Sequence, residues 1–93
     1  MVEVLNASGE IGLARGVTRR LRDAGLDVVF FGNDVALLDS TEVVVRRGSG
    51  DAKAARVRRA LGVGLVRAAP DTTRLVDVTV RIGRDLALLG RDP

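Results

Sequence analysis

The stretch VEVLNASGEIGLARGVTRRLRDAG, residues 2–25, carries the pattern from which the fold is read. Val2 and Val4 share one face of a short strand over 2–5, and Asn6-Ala7-Ser8-Gly9 breaks it with turn-forming side chains. Across 12–24, Leu13, Val17 and Leu21 recur every four residues as the apolar stripe of a helix, while Arg15, Arg19 and Arg22 point elsewhere. Gly25 supplies the stop. The same order returns after about forty residues: Thr41-Glu42-Val43 precedes Ser49-Gly50-Asp51, and Ala54, Val57 and Leu61 form a second stripe that ends at Gly62.

Further strands flank these two units. Leu26 to Phe31 reads as a strand with Leu26, Val28 and Phe30 inward, closed by Gly32-Asn33-Asp34 and followed by a loop. Thr41 to Arg47 is the third strand, and Val63 to Arg67 a weaker candidate before a loop at Pro70-Asp71-Thr72-Thr73. Val76 to Ile82 alternates most cleanly, with Val76, Val78, Val80 and Ile82 on one face and Asp77, Thr79 and Arg81 on the other, so one side of the sheet is expected to meet water. Gly83-Arg84-Asp85 ends that strand and 86–93 reads as a tail. The pattern predicts one α+β domain, core about 2–85, in the order β-α-β-β-α-β-β. Two strand–helix units joined by a hairpin imply a mainly antiparallel sheet of four or five strands, a two-layer sandwich with both helices on one face.

Composition narrows the chemistry. The chain has 93 residues, 15 Lys and Arg against 12 Asp and Glu, 46% apolar residues, and no Cys, His, Trp or Tyr. Without thiol or imidazole there is no cysteine nucleophile, no histidine base and no soft metal site, so neither metal nor cofactor is expected. Redox compartment is left open. No apolar run approaches the roughly 18 residues of a membrane span. No export signal is read in the chain, which is therefore expected to be cytosolic or a piece of something longer.

Val4-Leu5-Asn6-Ala7-Ser8-Gly9, Gly12-Leu13-Ala14, Leu21 through Gly25, Gly32-Asn33, and Asp77-Val78-Thr79-Val80 with Gly83 and Asp85 together resemble the LytR C-terminal domain over nearly the whole chain. Ala7 stands where that family usually shows Gly, and Arg46 where an aromatic residue is common, which removes a side chain able to stack on sugar. The family's domain follows the catalytic LytR-CpsA-Psr module, which joins anionic glycopolymers to peptidoglycan, and also occurs in small membrane-anchored proteins; its family name mentions a transcriptional attenuator. The resemblance implies a non-catalytic accessory module, extracytoplasmic, in a membrane-anchored parent of the cell envelope. Met1 is then expected to be an added start. The implied partner is an anionic cell-wall glycopolymer or an envelope protein.

Three features could serve a ligand. The turn with Asn6, Ser8, Gly9 and Gly12 leads into a helix start, where free N–H groups favour an anion. Its spacing matches neither dinucleotide nor phosphate-loop fingerprints, and the commoner role is structural, with Ser8 capping the helix and Asn6 and Gly9 shaping the turn. Arg46, Arg47, Gly48 and Ser49 precede the second helix, where guanidinium forks suit phosphate; Asp51 there also reads as a first-turn acid. Arg15, Arg19, Arg20, Arg22, Lys53, Arg56, Arg58 and Arg59 form a basic helical surface that suits wall polymer, nucleic acid or solvent alike. A basic nucleic-acid-binding domain is the alternative, although no aromatic platform accompanies the arginines. A small acyl- or phosphoryl-hydrolysing enzyme ranks lower, because no Arg lies in the first turn. Asp77 and Asp85 flank the last strand and read as structural, Asp85 through a turn hydrogen bond.

Overall fold

The computed structural model describes residues 1–90; residues 91–93 and the side chains of Ser49 and Leu89 lie outside the described residues. In chain order the elements are β1 (Val2–Asn6), α1 (Leu13–Asp23), β2 (Val28–Asn33), β3 (Glu42–Val45), a 3₁₀ turn (Gly48–Gly50), α2 (Asp51–Leu61), β4 (Leu65–Ala68), β5 (Val78–Ile82) and α3 (Arg84–Gly90). The α1 stripe buries Ala14, Val17 and Leu21, and the α2 stripe Ala54, Val57 and Leu61. Gly25 and Gly62, at φ of 85° and 78°, adopt the left-handed conformation that turns the chain out of each helix.

The five strands form one sheet in the order β2-β1-β5-β3-β4. β1 runs parallel to β2 and β5, β3 parallel to β4, and only β3 and β5 are antiparallel. The sheet is therefore mixed, which corrects the expectation of a mainly antiparallel one. The physical reason is that each helix is a crossover: it returns the chain to the same end of the sheet, so the strands before and after it pair in parallel. Crossovers of the same hand with both helices on one face, in units that run in opposite directions, carry β2 and β4 to opposite edges. No β2–β3 hairpin forms. Residues 34–41 instead cross the ends of β1 and β5, held by Asp34 N–H to the Asn6 carbonyl (3.0 Å), Leu38 N–H to Ala7 (2.8 Å) and Arg84 N–H to Leu38 (2.9 Å). β5, last of the strands, slots between the two units.

The core lies between sheet and helices: Val2, Val4, Val43, Val78, Val80 and Ile82 meet Val17, Leu21, Val57 and Leu61. Fully burying each such side chain contributes roughly 1.5–3 kcal/mol, and the β-branched valines suit the pleated surface they occupy. The 86–90 part of the expected tail is helical. Leu86 and Ala87 are buried, and Asp85 in the first turn accepts from the Leu86 N–H (2.7 Å).

The other face of the sheet is not simply wet. Thr79 and Val44, on that face, are fully buried beneath a lattice of ion pairs. Glu3 pairs with Arg74 (2.7 Å) and accepts from Thr79 Oγ1 (2.6 Å); Arg81 bridges Asp34 (2.9 Å) and Glu42 (3.1 Å); Arg67 also reaches Glu42 (3.2 Å). Burial works against the ionised form of Asp34, but the Arg81 hydrogen bond and charge hold its carboxyl below the usual carboxylate range.

Phe30 is misplaced by strand alternation. The register slips between Val2 and Glu3, pairing Val2 with Val28 but Glu3 with Phe30, so Val29 is an extra residue. Such a bulge flips every later side chain of the strand. Leu26 and Val28 point inward as expected, whereas Phe30 lies on the Glu3 face and is 55% exposed.

Candidate functional site

The loop after β1 is closed upon itself. The Asn6 amide oxygen accepts from the Ser8 N–H (3.0 Å) and hydroxyl (2.6 Å), its amide nitrogen donates to the Glu10 carbonyl (2.7 Å), and Ser8 Oγ accepts from the Glu10 N–H (3.0 Å). Ser8 therefore does not cap α1. The cap position is Gly12, at φ of 84° with no side-chain bond to the helix, because the extra residues 9–11 separate Ser8 from the first turn. Gly9, at φ of 82°, turns the chain within this loop. Ser8 and Gly9 also line an open cleft of about 490 Å³ against α3, beside exposed Ile11 and Leu88.

Arg46 to Ser49 lie elsewhere. Arg46 donates through Nε to Thr79 Oγ1 (3.0 Å) and through Nη1 to the Ala69 carbonyl (3.0 Å), and Arg47 donates to the Arg74 carbonyl (2.9 Å). Burial, aided by the neighbouring Arg74, pulls the Arg46 guanidinium below its usual pKa, with Asp71 and Glu3 acting the other way. Gly48 begins the 3₁₀ turn that contains Ser49. Since β3 is antiparallel to β5, while β1 is parallel to it, the chain leaves β3 at the sheet end opposite to Asn6. The two sequence-predicted groups thus sit at opposite ends of the sheet and do not form one site.

The eight helix cations divide by what they touch. Arg22 donates to the Val28 carbonyl (2.8 Å), Arg56 to the carbonyls of Ala24 (3.3 Å) and Gly25 (3.4 Å), and Arg58 to Gly64 (3.2 Å). The two Arg56 bonds satisfy the end of α1, where a cation also suits the helix dipole. Lys53 pairs with Asp77 (2.8 Å); that hydrogen bond raises the ammonium pKa and, from the other side, holds the carboxyl well below its usual range. Among the described residues, the exposed side chains of Arg15, Arg19, Arg20 and Arg59 have neither hydrogen-bond nor ion-pair partner.

Three of these helix arginines border a groove. Arg15, Arg19 and Arg22 line a cleft of about 290 Å³ between α1 and β2 together with Phe31, and Arg15 and Phe31 also line an adjoining cleft of about 350 Å³ beside Gly12 and Asn33. Phe31, 39% exposed, and Phe30 are the chain's two aromatic residues, and both reach the surface. Sequence reasoning missed them as surface residues because Phe30 fitted an inward alternation. The signal was the unbroken apolar run Val28-Val29-Phe30-Phe31, which a half-exposed alternating strand does not carry.

The two carboxylates that flank the last strand are engaged in structural bonds, Asp77 with Lys53 (2.8 Å) and Asp85 with Thr41. Asp85 accepts from the Thr41 N–H (3.0 and 3.1 Å) and hydroxyl (2.6 Å), a clamp on the loop at 34–41. Among the described residues no group of three or more acidic side chains converges as a metal site, and no helix is long and apolar enough to cross a membrane.

Comparison with known proteins agrees with the fold. The crystal structure of the soluble domain, residues 71–217, of a conserved hypothetical secreted protein from Mycobacterium marinum is similar, with a TM-score of 0.70 and 27% sequence identity. The similarity covers 90% of this chain and 58% of that one. No curated protein matches. The family model described as LytR cell envelope-related transcriptional attenuator matches residues 1–86. The chain therefore belongs to the LytR C-terminal family, a family of cell-envelope domains.

Proposed function

We propose that this chain is a non-catalytic accessory module of an extracytoplasmic envelope protein, and that it holds an anionic wall glycopolymer against its helical layer. The observation that carries the reading is the segregation of charge. On the open sheet face Arg67, Arg74 and Arg81 are neutralised by Glu3, Asp34 and Glu42, whereas Arg15, Arg19, Arg20 and Arg59 on the helices are exposed without partners among the described residues. Among the described residues, exposed cations without a partner are thus gathered on the helical layer. Arginine forks suit the phosphates and carboxylates of such polymers. Family membership supports the envelope setting, and the secreted neighbour supports a place outside the cytoplasm.

Co-sedimentation with cell-wall fragments, with and without their anionic polymer, tests this. Binding at low salt should fall several-fold in an Arg19→Ala/Arg20→Ala/Arg59→Ala variant and disappear when the polymer is stripped. Equal binding to stripped fragments sinks the reading. Tight duplex DNA binding, with an affinity falling by about 0.9 log units per phosphate contact for each log unit of salt, would replace it with the nucleic-acid alternative.

A further inference from the structure

We infer that the outer edge of β2 receives an extended acidic segment of a partner protein as an added strand. β2 is an edge strand, paired to β1 on one side and to no described strand on the other. Along it Val29, Phe30 and Phe31 are 47%, 55% and 39% exposed, a strip of large apolar side chains that reaches both faces. Free sheet edges are normally blunted by Lys, Pro, a bulge or short length; the bulge of β2 lies at Val29, its second residue, and leaves 30–33 in regular register. β2, six residues of sequence VVFFGN, carries no Lys or Pro, while β4 at the other edge is four residues long and bears Arg67.

Charge decides the occupant. A second copy joined through β2 about a two-fold axis would bring Arg15, Arg19 and Arg22 of both copies to one seam, like charges with nothing between them. An acidic strand is complementary there. Arg15 and Arg19 stand four residues apart on α1, a rise of about 6 Å. Alternate residues of a strand stand about 6.6 Å apart. Acidic side chains at positions i and i+2 of the added strand would therefore meet Arg15 and Arg19 on the helix side, over the ring of Phe31. Residues of the opposite parity would face Phe30 and are apolar. Arg22, bonded to the Val28 carbonyl (2.8 Å), braces the start of the edge. Backbone pairing supplies affinity and the alternation supplies specificity.

The probes are three ten-residue synthetic peptides: alternating Glu and Val, alternating Lys and Val, and the Glu–Val peptide with Pro at its centre. The Glu–Val peptide should shift amide resonances of residues 28–33 and around Arg15 and Arg19, and slow hydrogen exchange along β2. The Lys and Pro peptides should each bind at least tenfold more weakly. Phe30→Ser, an exposed change on the face away from the arginines, should weaken the Glu–Val peptide about tenfold and leave wall-fragment binding intact. An Arg15→Glu/Arg19→Glu variant should prefer the Lys peptide. Equal affinity for Glu and Lys peptides, shifts that avoid β2, or a dimer through β2 in sedimentation would each overturn the inference.

Discussion

Gly83→Ala is expected to destabilise this domain far more than its size suggests. Gly83 follows β5 where the loop at 34–41 crosses it, and its φ is not in the left-handed region, so alanine fits the backbone itself. The obstacle is contact. A Cβ at Gly83 would lie 2.4 Å from Ser40 C, 2.7 Å from Thr41 N and 2.8 Å from Ser40 O, all main-chain atoms. Carbon atoms pack at about 3.5–4.0 Å, so the loop and the end of β5 must part by about 1 Å. The loop cannot move that far freely, because Thr41 N–H and hydroxyl are bonded to Asp85 (3.0 and 2.6 Å) and the Gly83 N–H to Thr41 Oγ1 (3.0 Å). Overpacking costs about 1–3 kcal/mol and one broken charge-assisted bond about 1.5–3 more, together roughly 3–6 kcal/mol. At about 4–8 °C per kcal/mol for a domain of this size, Tm should fall by at least about 12 °C. Circular dichroism during thermal and urea unfolding measures it. Gly16→Ala is the matched control, since a Cβ there meets nothing within 4 Å on α1 and should stabilise by about 0.5–1 kcal/mol. A loss below about 4 °C for Gly83→Ala would refute the argument from contact.

Two other changes probe the helical layer. Thr18→Val should raise stability by about 1 kcal/mol in urea unfolding, because Thr18 Oγ1 is buried with no partner among the described residues and its desolvation is uncompensated. Lys53→Met should cost about 0.5–1 kcal/mol at pH 7, a modest figure for a partly exposed pair. The sign follows from Asp77, whose folded carboxyl is held below its unfolded value by Lys53: the stabilisation is present above the unfolded pKa, about 4, and shrinks as pH falls through the folded one. The Met1 ammonium also bonds Asp77 (2.7 Å), so urea titrations from pH 7 to 2 should show a shallower acid loss in Lys53→Met, not a flat one.

The local elements were legible because their causes are local. The stripes of α1 and α2, the glycines that end them and the valine alternation of 76–82 each follow from short-range pattern, and the stripes and the alternation bury the side chains expected, Leu13 only in part. Strand pairing was not legible, since nothing near Val78 announces Val2 as its parallel neighbour, 76 residues away. The bulge at Val29 looks in sequence like one more apolar residue, yet it turns Phe30 outward. α3 was hidden by its length, seven residues with two buried side chains in the described part, and by a first-turn Asp85 whose partner Thr41 is 44 positions earlier. The proposed arginine surface was legible as composition; which cations are already spent on carbonyls and carboxylates required the tertiary contacts of Arg22, Lys53, Arg56 and Arg58.

β5 is the last of the five strands in chain order and the middle strand of the sheet. The halves β1-α1-β2 and β3-α2-β4 share no backbone hydrogen-bonded strand pair with each other, and each joins β5 instead. A nascent chain that stops short of residue 78 has two crossover units with helix contacts between them but no strand to join their sheets. Closure therefore waits for the C-terminal fifth of the chain, and the long separation between Val2 and Val78 makes that step slow compared with helix formation. Assembly of the sheet is by that geometry a late event, set by the arrival of β5 between two units whose helices can form before it.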